Sequence, residues 1–283
     1  MGFIEAIILG LVQGLTEFLP ISSSAHLRIM GEFLPSASDP GATFTAITQL
    51  GTELAVILYF RRDIARILSR WFQQFRKPAG SHHEVFDKNH PDVRLGWLVI
   101  IGTIPIVLVG YFAQEYIRST FRSLWLVATV LIVFGIILGI ADYLGKRTRA
   151  LDEMKYSHGI TIGLAQVLAL VPGVSRSGST MTAGLALGYT RPAAARFGFL
   201  LAIPAVFGSG LYELVHSFGE TDRVFTYAET AVATVIAFVV GYAVIAALMR
   251  YIEKRSFLPF VIYRVALGVT LFVLLSLNVI QPV

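Results

Sequence analysis

The sequence has no cysteine and few charged residues, and each scarcity excludes something. Without cysteine the chain can form no disulfide, thiolate nucleophile or cysteine-ligated metal centre. Only 14% of the residues are charged, against roughly 25% in soluble domains. Most of these charges stand between apolar runs, and the mean hydropathy is +0.69. This pattern excludes a soluble fold with a single core and indicates a chain folded in a lipid bilayer.

The basic residues stand in short groups beside the apolar runs. The isoelectric point near 9.5 is therefore better explained by orientation in a membrane than by nucleic-acid binding. The first 20 residues lack a basic start and a small-residue cleavage site, and they contain Glu5 and Glu17. We therefore expect them to belong to the mature protein rather than to a signal peptide.

The apolar stretches predict an all-α polytopic membrane protein, a single integral membrane domain over 1–283. Six stretches approach the ~20 residues that a membrane-crossing helix needs, and they lie at 43–60, 95–114, 124–144, 195–215, 228–249 and 259–280. Two shorter stretches, 3–19 and 158–171, end in proline–serine breaks and are followed by short helical segments, 22–34 and 177–188. Their lengths favour two re-entrant helical hairpins, each entering and leaving on one side.

The distribution of lysine and arginine supports this topology. If 43–60 runs from outside to inside, the outer loops hold only Arg28, Arg118, Arg122 and Arg223. The inner segments then hold Arg61, Arg62, Arg66, Arg70, Arg76, Lys77, Lys88, Arg94, Lys146, Arg147, Arg149, Lys155, Arg191, Arg196, Arg250, Lys254 and Arg255. Such a bias is the positive-inside pattern of membrane proteins. It does not distinguish hairpins that re-enter from hairpins that cross twice. The polar segment 77–92 contains three histidines without helical spacing, and we predict a flexible inner loop there rather than a metal site.

The two breaks resemble each other. Gly-Leu-Val-Gln13 leads to Pro-Ile-Ser-Ser-Ser24, and Gly-Leu-Ala-Gln166 leads to Pro-Gly-Val-Ser-Arg-Ser177. Under the topology above, the first hairpin enters from outside and the second from inside. The sequence therefore predicts an inverted repeat, roughly 1–145 and 156–283, with both breaks near the midplane.

The first break carries residues suited to nucleophilic catalysis. Gln13 and Glu17 are four apart, so they share a helix face, and Ser22, Ser23, Ser24 and His26 follow. Serine, histidine and carboxylate supply the nucleophile, base and orienting group of such catalysis. The alternatives are a serine N-cap, a histidine in the core and a carboxylate at a helix end.

The second break carries residues suited to anion binding: Ser175, Arg176, Ser177 and Thr180. A helix N-terminus attracts anions through its free N–H groups, and arginine presents a two-pronged donor to phosphate oxygens. A capped helix start alone does not explain an arginine between the two helical segments of a hairpin inside the membrane. Two helix N-termini with several hydroxyls and one arginine suit a diphosphate.

These motifs resemble the two signatures of the undecaprenyl-diphosphatase family, the bacitracin-resistance type of bacterial membrane phosphatase. The first is Gln13-x-x-x-Glu17 with the downstream Ser-Ser-Ser-Ala-His26, and the second is Pro172-Gly-Val-Ser-Arg-Ser-x-x-Thr180. The resemblance extends over essentially the whole chain, including Phe260-Val-Ile-Tyr-Arg264. Gln13 stands where the family admits glutamate or glutamine, which leaves one carboxylate fewer for a metal.

The resemblance implies hydrolysis of a polyprenyl lipid, undecaprenyl diphosphate, to the monophosphate and phosphate. It also implies recycling of the cell-wall lipid carrier at the outer face of the bacterial inner membrane, bacitracin resistance and a divalent cation, Mg²⁺ or Ca²⁺. Glu17 is the best candidate metal ligand, and Glu53 is a second carboxylate that is either a ligand or structural. The oligomeric state, with a homodimer among the alternatives, and the role of Arg264 stay open.

For the mechanism we hypothesise that Ser23 attacks the terminal phosphorus, with His26 as base and then acid, oriented by Glu17. Arg176, Ser175, Ser177 and Thr180 then hold the phosphate oxygens, with Gln13, Ser22 and Ser24 beside them. In a variant, His26 is the nucleophile. The rival function is a transporter or flippase of a phosphorylated polyprenyl lipid, because inverted repeats with broken helices are also transporter architecture.

Overall fold

A computed structural model describes residues 2–34, 41–75, 90–113, 123–218 and 223–282. The described parts are helical apart from turns, two short 3₁₀ segments and one isolated bridge between Arg149 and Tyr189. The helices are α1 Gly2–Thr16, α2 Ser23–Gly31, α3 Ala42–Tyr59, α4 Arg61–Gln73, α5 Pro91–Phe112, α6 Leu124–Leu144, α7 Tyr156–Val167, α8 Arg176–Ala186, α9 Arg191–Ser217, α10 Tyr227–Ile252 and α11 Leu258–Ser276. The polytopic all-α prediction is confirmed.

Among the described residues five helices are long and apolar enough to cross a membrane: α5, α6, α9, α10 and α11. A sixth span is obtained if α3 and α4, which meet at a bend of 76°, count as one. We did not predict α4 as a helix, because its arginines masked the pattern of Ile67, Leu68 and Phe72 that makes it amphipathic. The predicted loop at 77–92 lies almost wholly outside the described residues.

The two predicted hairpins correspond to two pairs of short helices, α1 with α2 and α7 with α8. A proline follows each first helix, Pro20 and Pro172, and a serine caps the start of each second helix. Whether these pairs re-enter or cross twice stays a prediction.

Glycines let the first helix of each pair pack closely on a long helix. A Cβ on Gly10 of α1 would lie 2.6 Å from the carbonyl oxygen of Ala233 on α10. A Cβ on Gly163 of α7 would lie 2.4 Å from the carbonyl oxygen of Gly102 on α5. Small residues at such crossings bring backbones together, which is how membrane helices gain packing contacts. The breaks that follow α1 and α7 are thereby fixed inside the bundle.

An ion pair fixes three of the long helices at one end of the bundle. Arg191, the first residue of α9, donates to Asp142 of α6 at 2.6 Å. The other carboxylate oxygen of Asp142 accepts the backbone N–H of Phe257 at 2.9 Å, just before α11. A buried carboxylate with charged and backbone donors is well satisfied.

Candidate active site

The two breaks have the same backbone geometry. Ser22 and Ser175 both adopt positive φ, 75° and 73°, which is uncommon for residues other than glycine. Each is the N-cap of the following helix: the Ser22 hydroxyl accepts the N–H of Ala25 at 3.4 Å, and the Ser175 hydroxyl accepts that of Gly178 at 3.1 Å. The predicted capping role is therefore real. The same geometry starts α2 and α8 with unpaired N–H groups, which favour anions.

Glu17 connects the two breaks. It lies in the turn after α1 and is only 7% exposed. Its Oε2 accepts from Gln13 Nε2 at 2.7 Å and from Ser23 Oγ at 2.6 Å, while its Oε1 forms an ion pair with Arg176. The structure thus brings together a serine hydroxyl, a carboxylate and a guanidinium from the two halves of the chain.

Glu53 of α3 lies near the same guanidinium nitrogen of Arg176 that pairs with Glu17. Its side chain is buried, and its Oε2 is 3.8 Å from Arg176 Nη2. Among the described residues neither of its oxygens has a hydrogen-bond partner. A buried, unsatisfied carboxylate is costly, so its retention indicates a ligand or a function. The sequence did carry a signal, because Gln49-x-x-x-Glu53 repeats the spacing of Gln13 and Glu17.

His26 is held away from the serine that we predicted it to serve. Its Nδ1 lies 2.6 Å from the carbonyl oxygen of Ser22, which only accepts, so Nδ1 carries the proton. Its Nε2 therefore accepts from the hydroxyl of Tyr263 at 2.7 Å, and the two rings stack with centroids 5.5 Å apart. No hydrogen bond joins His26 to Ser23 or to Glu17 in the described structure. We had not identified Tyr263, whose only signal was its place beside Arg264.

The remaining predicted hydroxyls are mostly engaged within their own break. Ser22 and Ser24 share a hydrogen bond of 3.1 Å, as do Ser175 and Ser177. Ser177 also lies 3.1 Å from the carbonyl oxygen of Leu19, so it joins the second break to the first.

Thr180 is fully buried and donates to the carbonyl oxygen of Arg176 at 3.0 Å. This hydrogen bond stabilises the first turn of α8.

A cavity of about 550 Å³ opens from this polar centre. Glu17, the serines 22–24, Ser175 and Arg176 line one part of it. Its other walls are mostly apolar and come from α5 and α9, with Ile106, Val107, Ala205 and Val206 among them. His26 and Thr180 are not among its lining residues. A cavity with one polar part and apolar walls suits an amphipathic ligand.

The oxygen atoms of the site suit a divalent cation that is held jointly by the protein and by the substrate. The described residues contain no cluster of three or more His, Asp or Glu side chains placed to hold a metal. They do contain two carboxylates around Arg176, and both oxygens of Glu53 and the Oε1 of Gln13 lack hydrogen-bond partners among the described residues. Mg²⁺ is commonly held by one or two carboxylates together with substrate phosphates.

The fold and the site define a class: a polytopic membrane protein in which a buried carboxylate meets a partly buried serine and arginine at two helix N-termini. Residues 6–270 match the family model described as "Bacitracin resistance protein BacA". The chain belongs to this family.

Several curated proteins are similar to it over their whole length. It is 64% identical to the undecaprenyl-diphosphatase of Clavibacter michiganensis subsp. michiganensis, with 99% of each chain covered. It is 59% identical to the undecaprenyl-diphosphatase of Paenarthrobacter aurescens, covering 99% of this chain and 100% of that one. Identity to undecaprenyl-diphosphatase 2 of Agrobacterium fabrum is 54%, over 99% and 98% of the two chains. The resemblance seen in the two sequence motifs is confirmed.

Proposed function

We propose that this protein hydrolyses undecaprenyl diphosphate to undecaprenyl phosphate and inorganic phosphate. The observation that carries the proposal is the contact of Ser23, Glu17 and Arg176 at one end of an amphipathic cavity. Undecaprenyl-diphosphatases that are 54–64% identical over nearly the whole chain support it. The reaction recycles the lipid carrier of peptidoglycan synthesis and confers resistance to bacitracin.

In the first step Ser23 Oγ attacks the terminal phosphorus of the lipid diphosphate. The hydroxyl proton passes to Glu17 Oε2, 2.6 Å away, and the bond from that phosphorus to the bridging oxygen breaks. Undecaprenyl phosphate leaves, and phosphoserine remains at position 23. Arg176 and the free N–H groups of α2 and α8 stabilise the charge on the transferring phosphoryl group.

In the second step water attacks the phosphoserine. The bond between phosphorus and Ser23 Oγ breaks, Glu17 returns its proton to Ser23, and the protons of the water leave with the phosphate product. The direct bond from Ser23 favours Glu17 over His26 as the first proton acceptor. Because both ring nitrogens of His26 are engaged, by Ser22 and Tyr263, the serine is also favoured as nucleophile.

A divalent cation would be held by Glu17 and Glu53 together with the phosphate oxygens of the substrate. When bound, it supplies positive charge that neutralises the diphosphate and promotes departure of the lipid phosphate. The unpartnered oxygens of Glu53 are the structural support for this assignment.

The cavity suits a polar head group whose chain stays in the bilayer, with access from the outer face of the inner membrane. The cavity is lined by Gly110 and Tyr111 near the end of α5, and by Tyr212 and Glu213 near the end of α9. These ends lead to the segments of the sequence that are poor in lysine and arginine, which the charge bias assigns to the outside.

We also propose that the two halves, roughly 1–145 and 156–283, form an inverted repeat with re-entrant hairpins. The matching positive φ and side-chain caps of Ser22 and Ser175 support it, as do the equivalent close helix crossings at Gly10 and Gly163. This architecture also occurs in transporters, so movement of a phosphorylated lipid is the alternative function.

The test is phosphate release from a short-chain prenyl diphosphate by purified protein in detergent, with and without a chelator. We expect release that the chelator abolishes and that Glu17→Ala and Arg176→Ala each reduce by at least about 10²-fold. Acid quenching should trap acid-stable phosphoserine at position 23, whereas acid-labile phosphohistidine would assign the nucleophile to His26. Folded protein that releases no phosphate would instead favour the transporter.

A further inference from the structure

Arg264 of α11 is a fully buried cation inside the membrane bundle, and it has no carboxylate partner among the described residues. An arginine at such a position is expensive unless its donors are satisfied. Its guanidinium donates instead to backbone carbonyl oxygens, and these come from three separate parts of the chain.

Two of those parts are the serine breaks themselves. Nη1 donates to the carbonyl oxygens of Pro20, at 3.1 Å, and Val174, at 3.0 Å, so one nitrogen joins both breaks. Nη2 donates to that of Gly173 at 2.7 Å. Nε donates to that of Leu131 on α6 at 3.2 Å, which ties the pair of breaks to a long helix. The carbonyls of Pro20, Gly173 and Val174 lie outside the helices, where no neighbouring turn of helix can satisfy them, and no bulk water replaces that bond inside a membrane.

Two glycines leave the space that Arg264 occupies. A Cβ on Gly178, in the first turn of α8, would lie 3.1 Å from Arg264 Nη1. A Cβ on Gly135 of α6 would lie 3.1 Å from Arg264 Cβ and 3.5 Å from its Nε. The arginine is therefore confined on two sides, and its position is coupled to that of both breaks.

We infer that Arg264 is a positioning residue, which holds the two breaks at the separation that lets Ser23 and Arg176 meet Glu17. Its four hydrogen bonds require the planar fork of a guanidinium, because a lysine ammonium has three donors on one atom. The inference rests on the proposed phosphatase activity. It adds a residue that contacts neither the substrate nor the reacting atoms.

The first test compares the same chemical change at the fully buried Arg264 and the partly buried Arg191, as Arg264→Lys and Arg191→Lys. Arg191 belongs to the ion pair with Asp142 and contacts neither break in the structure. We expect Arg264→Lys to lower kcat by about 10²-fold per folded molecule with KM changed less than about threefold, since displacement of reacting groups by 1 Å has such an effect. Arg191→Lys should lower the Tm and leave kcat within about twofold.

The second test remains informative if Arg264→Lys does not fold. Gly135→Ala and Gly139→Ala make the same change one turn apart on α6, and both new methyl groups would face α11. The first would press on Arg264, and the second would press on Val261 at 3.2 Å. A shift of a few tenths of an ångström should lower kcat several-fold, about 3- to 10-fold, in Gly135→Ala only.

The outcomes are distinguishable. If the parent protein releases no phosphate, the proposed function fails, whatever the variants do. If the parent is active but Gly135→Ala and Gly139→Ala have equal kcat, the positioning role is wrong. It is equally wrong if Arg264→Lys and Arg191→Lys lower kcat by the same factor, since that result would mean general destabilisation.

Discussion

The two serine breaks share their backbone conformation but carry different side chains around it. Ser22 and Ser175 share φ, capping bond and hydroxyl partner two residues on, yet the next residue is Ser23 in the first break and Arg176 in the second. Five residues before the cap the first break has Glu17 and the second has Leu170. The two similar breaks thus offer two helix N-termini, and in the proposed mechanism the first supplies the nucleophile and base while the second binds phosphate.

The glutamines nine residues before each cap show how the change from Glu17 to Leu170 affects hydrogen bonding. Gln13 donates to Glu17 at 2.7 Å. Gln166 is equally buried, but its amide atoms have no hydrogen-bond partner among the described residues, because Leu170 stands at the position equivalent to Glu17. The polar network was completed in one half only, and the ion pair of Glu17 with Arg176 connects that half to the other.

The largest loss of activity should come from a serine of the first break and not from one of the second. We expect Ser23→Ala to reduce phosphate release by at least about 10³-fold, since it removes the nucleophile. Ser24→Ala, a neighbour that lines the same cavity, and Ser177→Ala of the second break should each reduce it by about 10-fold or less. Phosphate release and acid-quenched phosphoenzyme measure this. Retained turnover in Ser23→Ala with loss in Ser24→Ala would move the nucleophile by one residue.

An intermediate effect should appear at Glu53, the carboxylate that faces Arg176 from outside both breaks. Glu53→Gln keeps the shape of the side chain and removes its charge, so we expect the Mg²⁺ concentration for half-maximal phosphate release to rise by about 10-fold or more. A Mg²⁺ titration measures this. Glu229→Gln is the matched control, because its capping role at the start of α10 tolerates glutamine. An unchanged Mg²⁺ dependence in Glu53→Gln would make Glu53 structural.

The smallest effect should be a loss of stability that is similar for the two capping serines. Ser22→Ala and Ser175→Ala each remove a cap and keep the Cβ that is strained at positive φ, so each should destabilise the fold by about 1–2 kcal/mol. Ser22→Gly and Ser175→Gly should be milder, because glycine accepts that φ without strain. Thermal unfolding in detergent compares the four variants. Alanine more stable than glycine at either position would contradict the backbone equivalence of the breaks.

The chain by itself determined the class of fold and most members of the site. Long apolar runs and scarce charge indicate membrane-spanning helices, because a helix of such length crosses the bilayer and satisfies its own backbone in lipid. Local motifs identified Glu17, Ser23 and Arg176, since capping and anion binding depend on neighbours in sequence. The amphipathic α4 was missed because its arginines interrupt an otherwise apolar pattern.

Tertiary structure alone decided which of these residues meet. Glu17 and Arg176 are 159 positions apart, and Arg264 is 244 from Pro20, so no local pattern reveals their contacts. The predicted partnership of His26 with Ser23 followed from helical spacing. In the fold the ring bonds to Ser22 and Tyr263 instead, because α11 presents a hydroxyl that spacing cannot show. Local sequence sets caps, periodicity and charge, whereas the partners of a buried polar group depend on which distant helices pack beside it.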